Sequence, residues 1–190
     1  MLDLTTIFEY FVPLMIYKYV LRFDGIFLKK GNRKFFETHL YQNLRDTISE
    51  YGKIRMFPKR NRVLIETNLD LYEIKPILER IAGIFDFSPI EVVKTNLNNI
   101  ETSLLQMSRE MKPGSFKVEV KRSYKEFHLN SMQLASHLGS IIHSTMKWPV
   151  DIQKPQHVLY VDVHPHESYV YGKRYPCMGG LPTGSSGKII

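Results

Sequence analysis

Three kinds of residue in this 190-residue chain could do chemistry: a glycine-rich stretch, clustered cations, and scattered histidines with one cysteine. The stretch is Gly179-Gly180-Leu181-Pro182-Thr183-Gly184-Ser185-Ser186-Gly187-Lys188. Its glycines allow positive φ and close backbone approach to another molecule. Its N–H groups, two serines and Lys188 could cradle a phosphate. The P-loop pattern does not fit, because it needs glycine where Pro182 stands and Ser or Thr where Ile189 stands. A stretch of this composition is expected to bury little, and a flexible tail or linker is the alternative reading.

Cations gather in three places. Lys29-Lys30-Gly31-Asn32-Arg33-Lys34 lies at a strand-to-helix turn, beside the free N–H groups and positive dipole end of the helix that follows. Lys121-Arg122-Ser123-Tyr124-Lys125 repeats the device, leaving a strand ahead of a helix that starts near Ser131. Lys173 and Arg174, interleaved with Tyr171 and Tyr175, form the basic-plus-aromatic pattern that stacks bases and holds phosphates. A charge run alone is ordinarily a solvated turn, and core packing would also account for some of the tyrosines. Recurrence in both halves of the chain favours a shared use.

Catalytic constellations are poor. Lys173 and Arg174 near Cys177 could lower a thiol pKa, but no partnered general base accompanies it. His164-Pro165-His166-Glu167 has the look of a metal tract, yet two histidines and one carboxylate in a turn do not make a site. His39, His128, His137 and His143 are dispersed. No catalytic residue and no metal ligand is assigned.

The elements that must position these groups follow from periodicity. Ile16–Phe23 reads as a strand, and Arg33–Tyr51 as a helix with Phe36, Leu40, Leu44 and Ile48 at steps of four. Lys53–Phe57 and Arg62–Glu66 are strands joined by a turn at Pro58-Lys59-Arg60-Asn61. Asn68 or Asp70 caps a helix running through Ile81, and Phe85–Val93 is again a strand. The order β-α-β-β-α-β is that of a ferredoxin-like unit, two helices on one face of an antiparallel sheet. A polar connection at Lys94–Asn98 marks a boundary. Beyond it come a helix at Ile100–Met111, an alternating strand at Ser115–Lys121, and a helix capped by Asn130 or Ser131 that runs to about Lys147. Val158–Val163 and Ser168–Tyr171 then form a strand pair turning near Pro165. The expected class is α+β / α/β: an extension over 1–15, a ferredoxin-like domain over 16–94 and a second α/β domain over 95–190.

Composition narrows the partners. A net charge of +7 favours an anionic partner, nucleic acid ahead of a membrane surface. A single cysteine excludes internal disulfides and suits a reducing cytosol. The apolar run Ile7–Ile16 is interrupted by Glu9 and Pro13, too short and broken to span a membrane, and lacks the marks of a signal peptide.

Three motifs give the chain a family resemblance. IFLKKGNRKFFE at Ile26–Glu37, KRSYKEFHLNS at Lys121–Ser131 and GGLPTGSSGKII at Gly179–Ile190 resemble, in order and spacing, the N-terminal part of the tRNA 4-thiouridine synthetases (ThiI, tRNA sulfurtransferases). The resemblance runs from about Tyr17 to the last residue, and makes the second half a THUMP domain. Asp24-Gly25 stands where the family has Gly-Glu, and Met1–Met15 has no counterpart. The Ser-Gly-Gly-x-Asp-Ser sequence of the family's PP-loop domain is absent from the chain. The resemblance therefore implies a tRNA-binding module that holds the acceptor stem and 3′ end, cytoplasmic, while a PP-loop domain outside this chain thiolates a uridine near the D arm. It implies no cofactor here, with ATP and Mg expected only alongside the PP-loop domain. A homodimer, a separate PP-loop protein and a cysteine desulfurase are the other partners it suggests, with thiamine biosynthesis as a second family association. Carried onto this sequence, the RNA contacts would be Lys29, Lys30, Asn32, Arg33, Lys121, Arg122, Lys125, Ser131, Gly180, Leu181, Pro182, Gly184 and Ser186, beside the Lys173 and Arg174 pair. A stand-alone basic RNA-binding or interaction protein is the alternative.

Overall fold

The computed structural model describes residues 15–23, 32–59 and 62–185. Among them the chain forms two sheets, each covered on one face by a helix pair and meeting through their other faces. In the first, β1 (Tyr17–Arg22), β2 (Ile54–Lys59), β3 (Arg62–Thr67) and β4 (Asp86–Pro89) pair antiparallel in the order β2-β3-β1-β4. With α1 (Arg33–Ser49) and α2 (Leu71–Leu78) this is the expected ferredoxin-like unit. Phe36, Leu40, Leu44 and Ile48 of α1 are all buried, as their spacing predicts, against Tyr19, Leu21, Val63 and Ile65. Strand alternation sends Val20 and Leu64 to the opposite face, where they meet the second sheet.

The second sheet has the order β5-β8-β7-β6, built from β5 (Glu91–Lys94), β6 (Phe116–Arg122), β7 (His157–Val163) and β8 (Glu167–Tyr171). β6 and β7 are parallel, so the chain between them must cross over, and it does so through α4 (Ser131–Met146). α3 (Leu97–Glu110) packs beside α4, and Ile100, Leu104, Leu134, Leu138 and Ile142 close the core over Phe116, Leu159 and Val161.

Five expectations need correction. The strand read over Phe85–Val93 is two strands, β4 and β5, in different sheets; Pro89 lacks the N–H that a continuing ladder needs. The second helix stops at Leu78 rather than Ile81, and its cap is Asp70, which accepts from the N–H of Tyr72 (2.8 Å) and Glu73 (3.0 Å) while Glu73 returns a bond to the Asp70 N–H (2.8 Å). Asn68 instead accepts from the Lys53 N–H at 2.6 Å. Pro58 and Lys59 stay in β2, paired with Val63 and Arg62, because an edge strand tolerates proline. The rest of that turn, Arg60 and Asn61, lies outside the described residues. The connection at Lys94–Asn98 is brief: Lys94 closes β5 and Asn96 caps α3, accepting from the Asn99 N–H at 2.8 Å.

The glycine-rich stretch is the fifth. After β8 the chain returns to the first sheet, where β9 (Tyr175–Pro176) adds to β4 as an antiparallel edge. The ladder continues as Cys177 N–H to Phe85 O (2.9 Å), Gly179 N–H to Ile84 O (2.7 Å) and Gly83 N–H to Gly179 O (2.8 Å). Gly179 and Pro182 are buried, and Leu181 packs on the first core. Small residues bury here because their backbone finds partners. Gly83 makes the closure possible: its φ is +102°, and a Cβ there would come within 3.1 Å of both Leu40 and Pro182.

Candidate nucleic-acid interface

Strand registers place the basic segments at one end of the molecule. Arg22 at the end of β1 stands opposite Arg62 at the start of β3, which stands opposite Lys59 at the end of β2. In the second sheet Lys121 and Arg122 end β6 in register with Asp162 and Val163 of β7. An ion pair between Arg62 and Asp162 joins those two sheet ends, with Lys59 3.8 Å from Glu167 beside it. The helices that follow each strand begin there. α1 finishes at the far end, where Gly52 packs on Asn68 and Leu69, and α4 finishes against Phe116, whose N–H bonds Pro149 O at 3.0 Å.

At the start of α1, Asn32 is exposed and makes no capping bond through its side chain, and no acidic residue occupies the first turn. A first turn with no acidic residue presents the positive end of the helix dipole, which suits an anion. Arg33 pairs with Glu37 at 2.8 Å, half-exposed. Lys29 and Lys30 lie outside the described residues.

At α4 the cap is Asn130, whose side chain accepts from the Gln133 N–H (2.9 Å) and whose own N–H donates to Gln133 Oε1 (2.9 Å), so Ser131 is the first helical residue. Lys121 and Lys125 are exposed. Arg122 turns back instead: its guanidinium donates to the carbonyls of Lys125 (2.9 Å) and Phe127 (3.0 Å), shaping the loop that presents Lys125. Ser123 ties the same loop to β7, through its N–H to Val163 O (3.0 Å) and its hydroxyl at 2.6 Å from His164 Nδ1. Burial, with Arg62 next, pushes the His164 imidazole below its ordinary pKa.

The glycine-rich stretch converges on α1. Asn43 donates to Thr183 O at 3.1 Å, and a Cβ on Gly184 would lie 3.8 Å from His39, one turn nearer Arg33. Gly180 is exposed, whereas Leu181 and Pro182 turn into the core. Ser186 lies outside the described residues. Asn43 and His39 had no distinguishing signal in the sequence.

Lys173 and Arg174 are placed differently. Arg174 is drawn onto the buried Asp86, with Nε at 3.1 Å, and Lys173 lies 4.9 Å from the Tyr175 ring. Tyr171 is buried and stacked on Tyr160, and Tyr175 is stacked on Phe87. The cations therefore do not lower the Cys177 pKa; burial, then Glu79 and Asp86, push that thiol up to about 12. Among the described residues no three His, Cys, Asp or Glu side chains gather as a metal site, and no helix is long and apolar enough to cross a membrane.

Two coupled α+β units, with basic residues at the start of α1 and on the loop that leads to α4, define the class of protein by fold and charge. The comparisons narrow it. The ThiI ferredoxin-like domain matches residues 18–88 and the THUMP domain matches residues 94–172. A Bacillus velezensis protein named "Probable tRNA sulfurtransferase" is 35% identical over 181 residues, covering 93% of this chain and 45% of its own length. The crystal structure of a 4-thiouridine synthetase–RNA complex with bound ATP superposes with a TM-score of 0.77 at 28% identity, over 91% of this chain and 45% of that one. A Pyrococcus horikoshii crystal structure gives 0.80 at 26% identity, over 90% and 58%. The chain belongs to the tRNA 4-thiouridine synthetase family, as its N-terminal ferredoxin-like plus THUMP region. It spans about 45% of the length of the curated relatives it matches.

Proposed function

We propose that this chain is the tRNA-binding module of a tRNA 4-thiouridine synthetase, gripping the acceptor stem and 3′ end for a PP-loop domain that thiolates a uridine near the D arm. The observation that carries the reading is convergence: the strands that lead to two basic segments about ninety residues apart in sequence finish at the same end of both sheets, and the third motif packs along α1 at His39 and Asn43. Such an arrangement holds phosphates by position and reads an end by shape, with little base discrimination. Arg33, Lys121 and Lys125 are the phosphate contacts, and Lys29 and Lys30 are further candidates by sequence. Asn32 and Ser131 offer helix-start groups, Gly180 and Gly184 offer close backbone approach, and Ser186 is a further candidate by sequence. Arg122, Leu181 and Pro182 shape the surface, Arg174 serves the seam between the sheets, and the exposed Lys173 is a further candidate contact. ATP, Mg and the sulfur donor are assigned to the PP-loop domain and a cysteine desulfurase, and Cys177, its thiol pKa pushed up by burial, is given no part in the transfer. The setting is cytoplasmic, and a second copy of the chain is a further partner.

The test is binding to a whole tRNA and to the same tRNA trimmed of its CCA end, at two salt concentrations. Trimming should weaken binding at both. Charge reversal of Arg33 and Lys121 should flatten the log–log salt dependence by ~0.7–0.9 per phosphate contact removed. Equal, salt-labile binding to both RNAs would instead leave a basic protein without end recognition, the second reading.

A further inference from the structure

The seam between the two sheets holds two deeply buried carboxylates, each occupied by arginine. Asp86 on β4, 4% exposed, takes Arg22 of β1 at 2.5 Å and Arg174 from beyond β8. Asp162 on β7, 2% exposed, takes Arg62 of β3, and the Tyr171 hydroxyl stands 3.4 Å away. Arg22 also lies 4.7 Å from the Tyr171 ring centroid, so its charge sits against the second sheet. The apolar part of the seam is small: Val20, Leu64, Tyr169 and Tyr171, with Ile90, Val92 and Tyr160 at its margin. Apolar contact of this kind permits sliding, whereas a buried ion pair tolerates one geometry. Replacing such a pair by apolar residues often costs no stability, so its better-attested role is to fix register.

The Arg62–Asp162 pair sits where register matters. Arg62 stands opposite Arg22, the last residue of the strand that leads to α1. Asp162 stands opposite Lys121, on the strand that leads to α4. We infer that Arg62 and Asp162 are positioning residues, a clamp at the strand roots that sets the spacing between the basic start of α1 and the basic loop that leads to α4, so that one RNA spans both. The inference rests on the tRNA reading above. Two contacts on one ligand gain from effective concentration only while their separation matches the ligand, so a loosened clamp weakens a spanning ligand and spares a short one.

The test uses the full chain with Arg62→Met/Asp162→Asn, which leaves no buried charge unpaired, and Arg62→Lys as the charge-keeping control. Circular dichroism establishes that each variant folds. Spin labels at Arg45→Cys on α1 and Ser136→Cys on α4, both exposed positions, report the distance between the units. The double variant should broaden that distance distribution. It should also weaken whole-tRNA binding about tenfold while leaving a short CCA-ended oligonucleotide within about twofold. Arg62→Lys should recover part of the loss. An unchanged distance distribution overturns the clamp, as does an equal loss for both RNAs, which would make Arg62 a direct contact. A wild-type chain that binds no tRNA overturns the reading of the preceding section instead, and the distance measurement still decides the clamp.

Discussion

At the scale of single residues, charge type and charge use part company. Arg122 and Lys121 are neighbours, yet one spends its donors on two carbonyls and the other meets solvent. Cys177 has cations nearby in sequence and carboxylates nearby in space. Its thiol should therefore be inert: at pH 8, iodoacetamide should alkylate the folded chain at least about a hundredfold more slowly than the chain in denaturant. Comparable rates would mean that the thiol is not buried as described. His164 gives a pH dependence with a definite sign. Its folded pKa is depressed, so below the ordinary value of about 6.5 the unfolded chain binds the proton first and stability falls as pH falls toward the folded value. In His164→Asn, which keeps an acceptor for Ser123, the loss of Tm between pH 7.5 and 5.5 should shrink. An unchanged loss would assign that pH dependence to other groups.

At the scale of elements, stability rests on caps and closures. Asp70→Ala removes the reciprocal cap of α2 and should cost about 1 kcal/mol in urea unfolding; no change in the midpoint would make that cap ornamental. Gly83→Ala places a Cβ against Leu40 and Pro182 at positive φ, and should cost about 1–3 kcal/mol and expose the segment after β9 to limited proteolysis. Wild-type resistance in that variant would show that the segment is held elsewhere. Local patterns were legible: the α1 stripe, the alternation of Phe116, Val118 and Val120, and the cap at Asn130 all depend on neighbours a few residues away. The division at Ile90 was not, since Phe85–Val93 is uniformly suited to strand and nothing local says that it serves two sheets. β9 has too few residues to carry any period, and the bond from Asn43 to Thr183 joins positions that no spacing rule relates. The motifs located the candidate interface; which of its cations face outward depended on partners distant in sequence.

At the scale of the whole molecule, the two units share a seam, two carboxylate–arginine groups and a strand. They should melt as one. Trp148, 2% exposed in the second core, reports that unit by fluorescence, and its thermal transition should superimpose on the far-UV signal of the whole chain. Two separated transitions would show units that are merely tethered. β9 has a further consequence, for how the protein is made. The first sheet borrows its outer strand from a part of the chain synthesised long after the rest of it, since Phe87 pairs with Tyr175. On a ribosome adding ~5–20 residues per second, β4 stands as an open edge for on the order of ten seconds while the whole second unit emerges. An open edge invites pairing with another nascent chain. The vulnerable moment in the life of this protein is therefore during its own translation, and the arrival of Tyr175 ends it.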